Sequence, residues 1–219
     1  MDNLVNSDIC TKCGGLCCKR GGCTYFVSDF ENIKIDVIEK ALDSGRVSII
    51  ATLEFDRLPS GKLIANPILF LRARNVGRGE IDLFSFQTTC ASLEEKGCHF
   101  SRDERPGGGL HLIPNENRKC YSDIDESEEI FKWEPYQKLL IRIVKRRTGM
   151  SVLQRLKQDI ENVLFNYMSG NVETVYEGEL LDIKNMIPML QEVFPDVVSK
   201  ALERCNIVEQ LKLQRKRNK

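Results

Sequence analysis

The chain has 219 residues, 42% of them hydrophobic and 29% charged. That is an ordinary globular composition for one domain or two small ones, and it is long enough to bury a core without covalent staples. Lys plus Arg and Asp plus Glu number 32 each, so no overall charge draws the chain toward nucleic acid or an anionic membrane.

The opening MDNLVNSDIC has neither the basic nor the apolar part of a signal peptide. No stretch approaches the ~20 apolar residues that span a bilayer. A cytoplasmic location is therefore expected, with no membrane partner. In that compartment thiols stay reduced, and dense cysteines point to metal or catalysis rather than disulfides.

The first feature in chain order is ICTKCGGLCCKRGGC, which places Cys10, Cys13, Cys17, Cys18 and Cys23 within fifteen positions. SDFENIKIDVIEKALDSGR then reads as a helix. Ser28 and Glu31 form a capping box at its start. Ile33, Ile35, Val37, Ile38 and Leu42 supply an apolar side, and Gly45 marks the stop. VSIIATLEF and KLIANPILFLRAR read as two strands joined by the turn RLPSGK, and EIDLFSF as a third.

A loop-rich stretch follows, with Cys90, Cys98 and Cys120 and the two histidines, His99 and His111. GGG at 107–109 follows Arg-Pro rather than a strand, so it reads as loop. From about 126 onward the pattern is helical. Leu139, Leu140, Ile143 and Val144 recur at helical spacing, as do Leu153, Leu156, Ile160, Val163 and Leu164. Gly170 and Pro195 mark stops. The expected architecture is α+β: a cysteine-rich, metal-binding region with a small sheet at 1–125, then a helical region at 126–219. Cys205, alone on the last helix, reads as a buried apolar residue.

Thiolates are soft ligands that favour zinc or iron–sulfur clusters over magnesium or calcium. C-x2-C lets two thiolates reach one ion from a tight turn, and Gly14 and Gly15 permit the bend. Lys12, Lys19 and Arg20 stand close enough in sequence to favour thiolate over thiol. Eight cysteines (10, 13, 17, 18, 23, 90, 98 and 120) can fill two four-ligand sites, or one site with thiols to spare. Neighbouring side chains tend to diverge, so Cys17 and Cys18 are expected to serve different sites, or only one of them to be a ligand. His99, beside Cys98, is a better candidate than His111 for a further ligand or proton carrier. A cysteine–histidine hydrolase lacks any mark of which thiol would attack.

The stretch CTKCGGLCCKRGGCTYFVSDFE resembles the YkgJ-type cysteine-cluster family, a zinc- or iron-chelating domain. The resemblance rests on Cys10, Cys13, Cys17, Cys18 and Lys19, then on Cys90, Cys98, Arg105, Pro106 and Cys120, and covers roughly 9–121. It implies a metal held by cysteines from both segments. It also implies a distant similarity to flagellin-lysine N-methylases, thought to use an iron–sulfur cluster.

Three readings follow. In the first, cysteines of 10–23 and 90–120 converge on a thiolate site holding zinc or an iron–sulfur cluster such as 4Fe–4S, with Lys19, Asp29 and Arg105 around it. The second is an iron–sulfur-dependent protein-modifying enzyme. The third is a zinc-stabilised adaptor that binds another protein or nucleic acid. The basic stretches KRR at 145–147 and QRKRNK at the end are what a nucleic-acid partner would use, but they read better as solvated helix ends, so protein is the expected partner.

Overall fold

A computed structural model describes residues 15–95, 97–100, 104–113, 120–172 and 175–217. Cys10 and Cys13, two of the expected ligands, lie outside these residues, as do Lys12 and Gly14. The fold is α+β, with a small antiparallel sheet in the first half and helices in the second.

The sheet has three strands, β1 (Thr24–Tyr25), β2 (Val47–Arg57) and β3 (Leu63–Ala73), in the order β1-β3-β2. β2 and β3 form the expected hairpin, eleven residues long on each side, with Ile49 opposite Leu71 and Ala51 opposite Leu69. The third strand is not 80–86. That segment runs beside β2 and makes one parallel bridge, Ile49 with Ile81. Its backbone hydrogen bonds to β2 are Ile49 N–H to Glu80 O at 2.8 Å, Asp82 N–H to Ile49 O at 3.0 Å and Ala51 N–H to Leu83 O at 3.1 Å. The third strand is instead β1, which pairs Thr24 with Arg72 and Tyr25 with Leu71. β1 is too short to serve Leu69, whose N–H and C=O are met by the Gln137 side chain at 2.9 and 2.8 Å. An amide side chain there takes the place of a missing strand residue, as the accounting of buried backbone groups requires.

The first helix, α1 (Ile35–Asp43), begins seven residues beyond Ser28. Ser28 lies instead in a 3-10 turn, Val27–Asp29. Asp29 Oδ2 accepts from the Phe26 N–H at 2.8 Å and the Gly107 N–H at 2.7 Å. A carboxylate that bridges two chain segments thus replaces the expected capping box. Two short hairpins follow, one of β4 (Leu93–Glu94) and β5 (Gly97–Cys98), the other of β6 (Leu112–Ile113) and β7 (Tyr121–Ser122). Residues 107–109 are not loop. They open a one-turn helix, α2 (Gly107–Leu110), whose first N–H is the one that Asp29 receives.

The remaining helices are α3 (Glu126–Phe131), α4 (Gln137–Thr148), α5 (Val152–Ser169), α6 (Glu177–Val193) and α7 (Pro195–Arg217). α5 starts at the Ser151–Gln154 capping box and stops at Gly170, and α7 starts at Pro195. Their apolar faces bury Leu140, Ile143, Leu156, Ile160 and Leu164 at 0% exposure. These residues join Ile49, Leu69 and Leu71 of the sheet in one cluster. Buried side chains from both sides of the 125/126 boundary therefore share a core. No described helix is long and apolar enough to cross a membrane.

Candidate functional site

The cysteines lie where the sheet ends and the loops begin. Gly15, in the left-handed region at φ 68°, opens a helix-like turn. Lys19 N–H reaches Gly15 O at 3.0 Å, and Arg20 N–H reaches Cys17 O at 2.9 Å. In such a turn successive side chains are about 100° apart rather than opposed as in a strand. Cys17 Sγ and Cys18 Sγ are consequently 3.9 Å apart and line the same cavity. The divergence expected of an adjacent pair is overturned by this local geometry.

Backbone hydrogen bonds fix the other cysteines. Cys90 N–H donates to Cys18 O at 2.6 Å, tying the two cysteine segments together. Cys90 also pairs with Asn75 in an antiparallel bridge. Cys23 O accepts from Ala73 N–H at 2.8 Å, and Gly22 N–H donates to the buried Asn75 Oδ1 at 2.8 Å. Gly22 lies flat on β3, where an added Cβ would come within 1.9 Å of Ala73 O, so only glycine fits. Cys98 is placed by its pairing with Leu93 across the β4–β5 hairpin.

The result is one cavity of about 60 Å³ walled by Cys17, Cys18, Cys23, Cys90, Cys98 and Cys120, six of the eight expected ligands. Arg105, Pro106 and Phe100 complete much of the rest. The Arg105 Nε is buried and has no hydrogen-bond partner among the described residues. The thiols surround a space rather than a point. Among the described residues, no group of three or more His, Cys, Asp or Glu is arranged to hold a metal ion.

Electrostatics sort the thiols. The hydrogen bond between the Cys17 and Cys18 thiols, with a smaller contribution from Cys120, lowers the Cys17 thiol to about 6. The same bond, then burial, drives Cys18 far above the ordinary thiol range. Burial pushes Cys23 up to about 12 and raises Cys90. One thiolate forms readily here, and each further one is opposed by burial and by the charges already present. The side-chain cation that eases Cys23 and Cys90 is Arg72 of β3. Lys19 and Arg20, expected for that role, are exposed and are not among the causes of these shifts. No motif marks Arg72, which is one of two arginines, with Arg74, that follow the apolar run PILFL.

The histidines stand apart. His99 Nδ1 contacts Glu94, and His111 Nδ1 lies 2.8 Å from Asp123. Neither lines the cysteine cavity. Asp29 also stays outside it and acts on the backbone of 26 and 107. Cys205 is on a helix as expected but is half-buried, with its Sγ 3.7 Å from Phe165 O. No family model, no curated protein and no solved structure matches this chain.

Proposed function

We propose that the chain binds a soft metal centre, zinc or an iron–sulfur cluster, through its cysteine-lined cavity. The observation that carries this reading is the meeting of six cysteines from sequence segments as distant as 17–23, 90–98 and 120 around one small space. Three features of the cavity suit such a centre. The donor set is all thiol, which selects zinc or iron over hard cations. The 3.9 Å between Cys17 Sγ and Cys18 Sγ is close to the about 3.8 Å between sulfurs on one tetrahedral ion with bonds of about 2.3 Å. The unpartnered Arg105 Nε would meet the negative charge that a tetrathiolate site or a cluster carries. Cys10 and Cys13 are candidates to add to the donor set. The YkgJ-type resemblance points the same way.

Cys23 and Cys90 would be ligands fixed by β3 and by the Cys18 backbone, and Arg105 and Arg72 would offset their charge. When bound, zinc would supply structural cross-linking and a cluster would supply electron transfer. A cytoplasmic location would keep the thiols available to either.

The test is purification without oxygen, followed by an absorption spectrum and counts of zinc, iron and acid-labile sulfide per chain. Wild-type protein is expected to hold metal at a fixed stoichiometry. Cys23→Ser and Cys90→Ser should each lose most of it, and Cys205→Ser should keep it all. Equal metal content in all four proteins, or none in the wild type, would sink the proposal. Broad visible absorption with sulfide would assign a cluster; colourless protein with zinc would assign a structural ion.

A further inference from the structure

A second cavity, about 550 Å³, adjoins the first. Cys17, Cys23, Leu112 and Cys120 line both, so the cysteine wall has a far side that faces this larger space. Its volume falls in the range of small-molecule sites. The charged residues that line it are Arg20, Arg72 and Glu126. Two guanidinium groups therefore face one carboxylate.

Both arginines are held in place. Arg72 Nε donates to Gly22 O at 2.6 Å, and its Nη2 donates to Gln87 Oε1. These two bonds fix the plane of the guanidinium. Its Nη1 donates no hydrogen bond among the described residues. Arg20 lies over the Tyr176 ring, 4.3 Å from its centroid. It forms no ion pair among the described residues. Stacking on an aromatic face leaves the edge of a guanidinium, and so its hydrogen-bond donors, directed outward. Planar forks with unused donors recognise carboxylate and phosphate groups.

We infer that this cavity binds a small molecule through a carboxylate or phosphate group held by Arg20 and Arg72, with the rest of the molecule against the cysteine wall. The binding step itself stands on the two arginines, and only the chemistry the bound molecule would meet rests on the proposed metal centre. The sequence suggests Arg20 for the thiols; its place over Tyr176 on the wall of this cavity assigns it here instead.

Calorimetric titration of the full-length, anaerobically purified protein tests the assignment. The probes are succinate, inorganic phosphate and, as a neutral isostere, succinamide, all at one ionic strength. Saturable binding of succinate or phosphate, and none of succinamide, is expected. Which of the two oxyanions binds more tightly identifies the group. Arg20→Gln, at an exposed position, should weaken that binding about tenfold with metal content unchanged. Arg72→Lys, which keeps the charge but removes the fork, should weaken it as well. Oxyanions that bind no better than succinamide, or equal affinity in wild type and Arg20→Gln, would overturn the inference. Metal counts on the same samples separate the two proposals. Arg20-dependent binding by a metal-free wild type would leave this site standing and remove the metal centre. Arg20-independent binding by metal-loaded protein would do the reverse.

Discussion

β3 faces two different environments along its length. In its middle, Leu69 and Leu71 belong to an apolar cluster with Leu140, Ile143, Leu156 and Ile160, all at 0% exposure. At its end, Ala73 and the following Asn75 meet Gly22, Cys23 and Cys90 through single hydrogen bonds and one bridge. The first environment is stabilised by removing apolar area from water, about 25 cal/mol per Å². The second buries thiols and an arginine, and each of its strands is two residues long. Helix packing tolerates local loss because many contacts share the load. The cysteine corner has few apolar side chains, so its geometry depends on a handful of backbone contacts and, on the proposal above, on a metal. A structural zinc can contribute on the order of 10 kcal/mol to folding, comparable to the whole stability of a domain.

This contrast can be broken or sharpened by substitution. Leu156→Ala should have the largest effect on global stability, a loss of about 3 kcal/mol from lost burial plus the cavity left behind. Urea unfolding followed by circular dichroism measures it. Protein that remains folded should keep its metal, and coupled loss of both would show that the two regions are not energetically separate. Gly22→Ala attacks the other side, since its Cβ would meet backbone at 1.9 Å. It should cost about 1–3 kcal/mol while removing more metal than Leu156→Ala does.

Asp159 gives a smaller, pH-dependent effect. It is buried, accepts from Leu83 N–H at 3.0 Å and pairs with Arg155. Burial outweighs these partners and raises its carboxyl. The folded chain then holds this proton more tightly than the unfolded chain. The contribution of Asp159 to stability is full below the ordinary carboxylate pKa and is lost as pH rises through the raised value. Asp159→Asn should flatten the stability profile through the acid range, and midpoints of urea unfolding between pH 3.5 and 7 check this. Last, the exposed Arg57–Glu192 pair should be nearly silent. Arg57→Ala is expected to leave the unfolding midpoint unchanged within error.

Long periodic segments were legible in the sequence, and short ones were not. The β2–β3 hairpin and the helices from 137 to 217 follow from alternation, capping and stop residues that each act locally. β1 has two residues, too few for any periodicity, and is held by Ala73 N–H on Cys23 O just before it and by Trp133 Nε1 on Tyr25 O at its end. The 80–86 segment carries strand-forming residues, yet its backbone touches β2 only around Ile49 and Ala51. Ser28 and Glu31 match a capping box by spacing, but Asp29 binds Phe26 N–H and Gly107 N–H, a tertiary contact no local rule contains. The six cysteines around the cavity were legible because residue type alone singles them out. The larger cavity was not, since Arg20, Arg72, Gln87 and Tyr176 come from four unrelated segments and share no motif.

Trp133 is the single tryptophan of the chain and is fully buried. Its indole N–H donates to Tyr25 O at 3.0 Å, two residues beyond Cys23. The rings of Phe30 and Tyr136 meet it edge-on. The protein thereby carries its own optical gauge. Indole emission shifts with hydration and with the loss of a hydrogen-bond acceptor. A change in that emission reports whether the strand leaving the cysteine corner is still seated on the core, with no label and no second fluorophore of its kind to confuse the signal.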